Sequence, residues 1–131
     1  ENIMAPLNKD KIETIKSLIS SLETIIQLFK EDSKLYNNES SKKIDDNWIQ
    51  TLQLHLNNFQ NCLSPSYSYK KSSFSRIMLD FLNLMSGGMG HPINDRIIYQ
   101  RKDIDTETFR QKNDEWDNAR NIVHRTAREL I

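Results

Sequence analysis

All three glycines of the chain, Gly87, Gly88 and Gly90, fall within four positions. Glycine is the residue a backbone uses where it needs positive φ or close approach by another group. With Pro92 two residues on, the stretch from Ser86 to Asp95 reads as a loop of specified shape. Everything before it reads as helix, and so does nearly everything from Asp105 onward. The expected fold is all-α: a compact bundle of four main helices, with a central apolar third helix and the glycine-rich loop after it. The length of 131 residues fits one helical domain over 1–131, since domains most often run to about 100–150 residues.

Apolar spacing places the helices. Ile12, Ile15, Leu18, Ile19, Leu22, Ile25, Ile26 and Phe29 follow the three-and-four spacing of one buried stripe, which predicts a first helix from about Asn8, its N-cap, to Lys30. Residues 31–43 turn polar and read as a solvated linker, with Leu35 and Tyr36 touching the core. A second helix is expected from Asp45 or Asp46 to about Leu63, its face marked by Trp48, Leu52, Leu56, Phe59 and Leu63. Pro65 ends it. His55, at helical spacing among apolar neighbours, reads as a core or boundary histidine.

The third helix, Phe74 to Met85 with Ser72 or Ser73 as its cap, is the most apolar element. A helix that is hydrophobic almost all round is central, so it is expected to touch the other three. Arg96-Ile97-Ile98-Tyr99-Gln100 reads as an extended segment or a helical turn laid over the bundle, with no second clear strand to pair with it. The last helix runs from Asp105 or Thr106 as cap to about Leu130, burying Phe109, Trp116, Ala119, Val123, Ala127 and Leu130. Arg110–Asp114 and Asp117–Arg120 are spaced as surface pairs.

Charge and cysteine content narrow the partners. Lysine plus arginine and aspartate plus glutamate each number 18, which removes the global electrostatic case for a nucleic acid or an anionic membrane. Locally, residues 65–102 hold six basic side chains (Lys70, Lys71, Arg76, Arg96, Arg101, Lys102) against Asp80 and Asp95. Tyr67 and Tyr69 interleave with Lys70 and Lys71, a pattern that can stack and neutralise nucleic acid. The single cysteine, Cys62, reads as a small buried hydrophobe and fits a reducing, cytoplasmic setting. The longest apolar-rich stretch, Ile12 to Phe29, is broken by Glu13, Lys16 and Glu23, so neither a membrane span nor a signal peptide is read from it. No cofactor and no metal is implied, because no second thiolate and no clustered ligand set accompanies Cys62 or the histidines.

The glycine loop is the one place where chemistry would be sought. It follows a helix and ends in Pro-Ile-Asn-Asp, lacking the Gly-Lys-Ser/Thr of a phosphate loop and the preceding strand of a dinucleotide fold. Its structural reading has Gly87 or Gly88 as the left-handed residue closing the third helix. Gly90-His91-Pro92 then turns the chain, Asn94 or Asp95 bonds neighbouring backbone, and Met89 plugs into the core. An enzymatic reading has His91 as base, Asp95 orienting it, and Arg96 or glycine amides holding an oxyanion. No serine or cysteine nucleophile is placed beside it.

The run Phe81-Leu82-Asn83-Leu84-Met85-Ser86-Gly87-Gly88-Met89-Gly90, followed by Asn94-Asp95, resembles the hallmark segment of an uncharacterised family of small bacterial helical proteins. Members carry Gly-Gly-Met-Gly, then a serine and an Asn-Asp pair. An upstream Trp-x-x-x-Leu helix and a downstream Leu/Ala/Arg-rich helix of that pattern are similar to Trp48–Leu52 and Trp116–Leu130. The resemblance covers about residues 45–130; here His91-Pro92-Ile93 replaces the usual residues and is one position longer. Such families are often encoded beside polymorphic toxins, so the resemblance implies a cytoplasmic immunity protein that binds and blocks a toxin domain.

The expected function is non-catalytic protein binding, with a cognate toxin or another protein as partner. His91, Asn94, Asp95, Arg96, Arg101 and Lys102 are the candidate contact residues, and Gly87, Gly88, Met89, Gly90 and Pro92 shape the loop. Two other readings stay open: a small enzyme or ligand-binding protein with its site at Gly87–Asp95, and a nucleic-acid-associated module using the basic residues of 70–102.

Overall fold

The computed structural model describes residues 4–36 and 38–131, with the backbone alone at 4, 5, 69 and 71. It is an all-α four-helix bundle: α1 (Lys9–Ser33), α2 (Glu39–Asn61), α3 (Lys71–Met85) and α4 (Thr106–Leu130). Two two-residue strands, β1 (Met4–Ala5) and β2 (Tyr69–Lys70), pair antiparallel with Met4 opposite Lys70 and Ala5 opposite Tyr69. This short ladder ties the start of the chain to the entry of α3.

Local capping explains where three helices begin. The Asn8 side chain accepts from the Lys11 N–H at 2.8 Å, and the Asp105 side chain accepts from the Thr108 N–H at 2.7 Å. Both satisfy amides that the first turn of a helix leaves without intrahelical partners. Asn38 does the same for Ser41 at 3.0 Å. That cap overturns the expected long linker over 31–43: α1 runs to Ser33 and α2 begins at Glu39, well before Asp45. α3 likewise starts at Lys71, so Ser72 and Ser73 lie inside its first turn, and its N-cap Lys70 makes no side-chain capping bond.

The centre of the bundle is also a correction. α1 lies against both α2 and α4, while α3 lies along α4 and meets α2 through Phe81, whose ring sits 4.9 Å from that of Phe59. α1 buries Ile15, Leu18, Leu22, Ile25, Leu28 and Phe29. α3 leaves Ile77 and Leu79 about two-fifths exposed. One reason is length: α1, α2 and α4 have 25, 23 and 25 residues and α3 has 15. At 1.5 Å per residue α3 extends about 22 Å, too short to line the whole core.

In α4, Trp116, Ala119, Val123, Ala127 and Leu130 are buried as expected, with Phe109 half-buried. The Asp117–Arg120 pair forms, but Arg110 pairs with Glu107 instead of Asp114. Cys62 is a free, buried thiol whose Sγ–H points to the Asn58 carbonyl. His55 sits 5.1 Å from the Phe81 ring, and burial lowers its pKa. No helix among the described residues is long and apolar enough to cross a membrane.

Candidate functional site

A helix leaves its last four carbonyls without intrahelical donors. In α3 those carbonyls belong to Leu82, Asn83, Leu84 and Met85, and the glycine loop supplies a donor to each. The Ser86 hydroxyl donates to Leu82 at 2.6 Å and the Ser86 N–H to Asn83 at 3.3 Å. His91 Nε2 lies 3.0 Å from the Leu84 oxygen, and Asn94 Nδ2 donates to Met85 at 2.6 Å. The histidine tautomer follows from its other nitrogen. Nδ1 accepts from the amides of both Ile93 and Asn94 at 3.1 Å, so the proton sits on Nε2 and is donated to Leu84.

This wrapping requires glycine at one position above the rest. Gly87 has φ +143°, and a Cβ there would stand 2.7 Å from His91 Cδ2. Gly90, at φ +82°, donates its N–H to Asp95 Oδ2 at 2.7 Å. Gly88 has open space around it. Met89, expected in the core, is instead 99% exposed: the turn that brings His91 under α3 leaves Met89, two positions earlier, pointing outward.

Asp95 therefore holds the loop backbone and does not orient His91, and both ring nitrogens of His91 are spent on main chain. The base-and-orienter pair of the enzymatic reading is not assembled. Among the described residues no group of three or more His, Cys, Asp or Glu is placed to hold a metal ion.

Beyond Asn94 the chain crosses the bundle as an irregular strap. A segment with no strand beside it must find its hydrogen bonds elsewhere, and the helices supply them. The Asn94 carbonyl accepts from Arg120 at 2.7 Å, and the Arg96 carbonyl from the Trp116 indole at 3.2 Å. The Asn113 side-chain amide bonds both the N–H and the carbonyl of Ile98, at 3.1 and 2.9 Å. Tyr99, at φ +58°, donates its N–H to Asp32 at 2.7 Å and its hydroxyl to Glu31 at 2.5 Å. That hydroxyl bond, ahead of the opposing effect of burial, lowers the Glu31 pKa; burial and the Glu31 carboxylate push Tyr99 up. Ile93 and Ile98 are fully buried beneath the strap, while Ile97 is 53% exposed.

Arg96 is the strongest fixing point. Its Nε donates to Asp32 at 2.8 Å, and its two terminal nitrogens donate to the two oxygens of Asp45 at 2.9 Å each. The guanidinium also lies 4.3 Å above the Phe29 ring. Burial works against this charge, but the bonds from Asp45 and Asp32 outweigh it and raise the Arg96 pKa. Such a bidentate, charge-assisted arrangement is specific to arginine. It joins α1, α2 and the strap.

Of the six candidate contact residues, His91, Asn94 and Arg96 are thus engaged inside the fold. Arg101 bonds Asp103 and donates to the Leu35 carbonyl at 2.8 Å, and Asp95 and Lys102 stand at the surface. Pro92 is half-buried. In the basic run, Arg76 and Arg101 are each paired with an aspartate; the side chains of Tyr69 and Lys71 lie outside the described residues.

The sequence reading missed Asp32, Asp45, Tyr99, Asn113 and Arg120. A signal was present for three of them: Asp32 follows Phe29 by three positions, Asp45 precedes Trp48 by three, and Asn113 precedes Trp116 by three. Each continues an apolar stripe, so each is a polar group aimed at a core.

Beside the Arg96 node is an open trough of about 690 Å³, between the end of α1, the start of α2 and residues 92–100. Tyr36, Ser41, Lys42, Ile44 and Ile97 line it, and the Tyr36 hydroxyl donates to the Gln100 carbonyl across its end at 3.2 Å. In comparisons with family models, with curated proteins and with solved structures, the chain has no match.

Proposed function

We propose that the chain is a non-catalytic protein-binding module, acting in a bacterial cytoplasm as an immunity protein that occupies a toxin domain. The observation that carries the binding reading is a contrast in how side chains are used. The groups best suited to chemistry, His91, Asn94 and Arg96, are committed to internal bonds. Large aliphatic side chains beside them are left to water: Ile44 is 56% exposed and Ile97 53%. Exposed apolar groups rimmed by polar ones on a rigid base are what a protein partner buries. The toxin partner follows from the family resemblance of the 81–95 segment.

The test is co-expression of the full chain with the product of the adjacent gene. Rescue of growth together with a copurifying complex supports the reading. A partner gene that is not toxic, or a toxin that neither copurifies nor is neutralised, overturns it.

A further inference from the structure

Within the protein-binding reading, the contact face and the chemistry of its partner can be argued from the α1–α2 surface. The trough beside Arg96 does not end at Lys42. A hollow of about 270 Å³ shares Ser33 and Lys42 with it, and a third of about 410 Å³ shares Lys30, Asp46 and Ile49 with the second. The three run on from one another along the seam between α1 and α2. From Lys42 to Leu54 the seam spans about 18 Å at helical rise.

Two features set this surface apart. The first is apolar: Ile97 and Ile44 stand at one end and Leu54, 60% exposed, at the other, three of the seven large hydrophobic side chains exposed among the described residues. The second is charge. Lys30, Lys34 and Lys42 line the middle, and among the described residues none is in an ion pair. Asp46 is the acid that stands with them, while Asp32 and Asp45 share the single positive charge of Arg96 at the floor of the trough. Over the whole seam four bases face three acids, and the positive excess is concentrated in its middle, where Lys30, Lys34 and Lys42 face Asp46; complementary charge selects a partner's orientation and speeds its encounter.

We propose that the α1–α2 seam is the docking surface, and that it takes an amphipathic, acidic segment of a partner protein. The partner's apolar side chains cover Ile44, Ile97 and Leu54, and its carboxylates meet Lys30, Lys34 and Lys42. About twelve residues of helix match the 18 Å seam.

The experiment uses the full chain, isotope-labelled for amide NMR, titrated with a Leu/Glu peptide of about twelve residues patterned as an amphipathic helix, and with its Leu/Lys counterpart. Shifts confined to residues 30–54 and 96–100, with the Glu peptide binding at least about tenfold more tightly than the Lys peptide, support the proposal. Replacing Lys30, Lys34 and Lys42 together by Gln should weaken the Glu peptide by about tenfold. Ile44→Ser with Ile97→Ser, both at exposed positions, is the second variant and should weaken it without lowering the melting temperature. Equal binding of the two peptides, shifts elsewhere, or no shifts at millimolar peptide overturn it. So does self-association through these residues, or a response to single-stranded oligonucleotide instead of peptide. The two readings fail separately. If a toxin copurifies equally well with wild type and with the lysine variant, the seam is wrong and the function stands. If the peptides behave as stated but no toxin is bound, the surface stands and the immunity role falls.

Discussion

Residues 86–94 and residues 96–101 are neighbours in one connection, yet they are held in opposite ways. The first half closes α3 with bonds to chain four to nine positions away, Ser86 to Leu82, His91 to Leu84 and Asn94 to Met85, and only its last residue, Asn94, also reaches α4 at Arg120 and His124. The second half bonds across 51 to 67 positions: Arg96 to Asp45 and Asp32, Tyr99 to Asp32. The loop finishes a helix, whereas the strap fastens two helices to each other. The strap depends far more on the bundle having already formed, so long-range packing and its charges are tested chiefly there.

The contrast predicts its largest effect at Arg96. Arg96→Ala leaves Asp32 and Asp45 as uncompensated carboxylates and should destabilise the fold by about 3–5 kcal/mol, read as a shift in urea midpoint. Adding Asp32→Asn and Asp45→Asn should recover part of the loss, because the penalty lies in the stranded charges. A cost under about 1 kcal/mol would show that the node does not fasten the helices.

The loop should respond next, and unevenly. Asn94→Ala strips donors from the Met85 and Gly87 carbonyls and should cost about 2 kcal/mol. Gly87→Ala, which forces a Cβ against His91 at positive φ, should cost about 1–3 kcal/mol. Thermal unfolding of the two variants compares loop with strap directly. If Asn94→Ala proves as damaging as Arg96→Ala, the loop is not a local device.

A pH series sharpens the comparison further. His124 lies beside the loop, with Nε2 3.2 Å from Asn94 Oδ1. Burial first, then Arg128, Arg120 and His91, lower its pKa below 6.5, and burial lowers that of His55. The unfolded chain therefore takes up protons near pH 6.5 that the folded chain resists. Stability should be level near neutral pH and fall as the pH drops through 6.5 toward the lower folded values. His124→Gln should flatten part of that fall; an unchanged profile would remove His124 from the account.

The smallest effects belong to the loop's outer positions. Gly88→Ala and Met89→Ser should each change stability by less than about 0.5 kcal/mol. One has no atom within 4 Å of its added Cβ and the other projects into solvent. A larger loss at either would mean that the loop tip packs on something.

How much of this was legible follows the same division. The α1 stripe from Ile15 to Phe29, the Asn8 and Asp105 caps and the buried face of α4 are periodic or nearest-neighbour features, and a linear reading captures them. The beginning of α2 was missed because residues 39–44 lack an apolar stripe and rely on Asn38 for their cap. The position of α3 was misjudged because apolar content says that a helix is buried but not which helices are long enough to enclose it. Around the site, the need for a shaped glycine turn was readable; the carbonyls to which Asn94 and His91 donate were not.

From the sequence alone came the all-α class, the four helices and the place where the chain must turn sharply, since each depends on spacing and backbone freedom within a few residues. Tertiary structure decided the fate of Arg96 and of the lysines along the α1–α2 seam. Arg96 reads as one more basic residue in a basic run until Asp32 and Asp45 are brought to it from two helices. Lys30, Lys34 and Lys42 read as ordinary solvated charges until the same packing sets them between exposed aliphatic ends. Whether a charge is satisfied or left available depends on which partners folding brings within about 4 Å, and that distance is a property of the packed bundle.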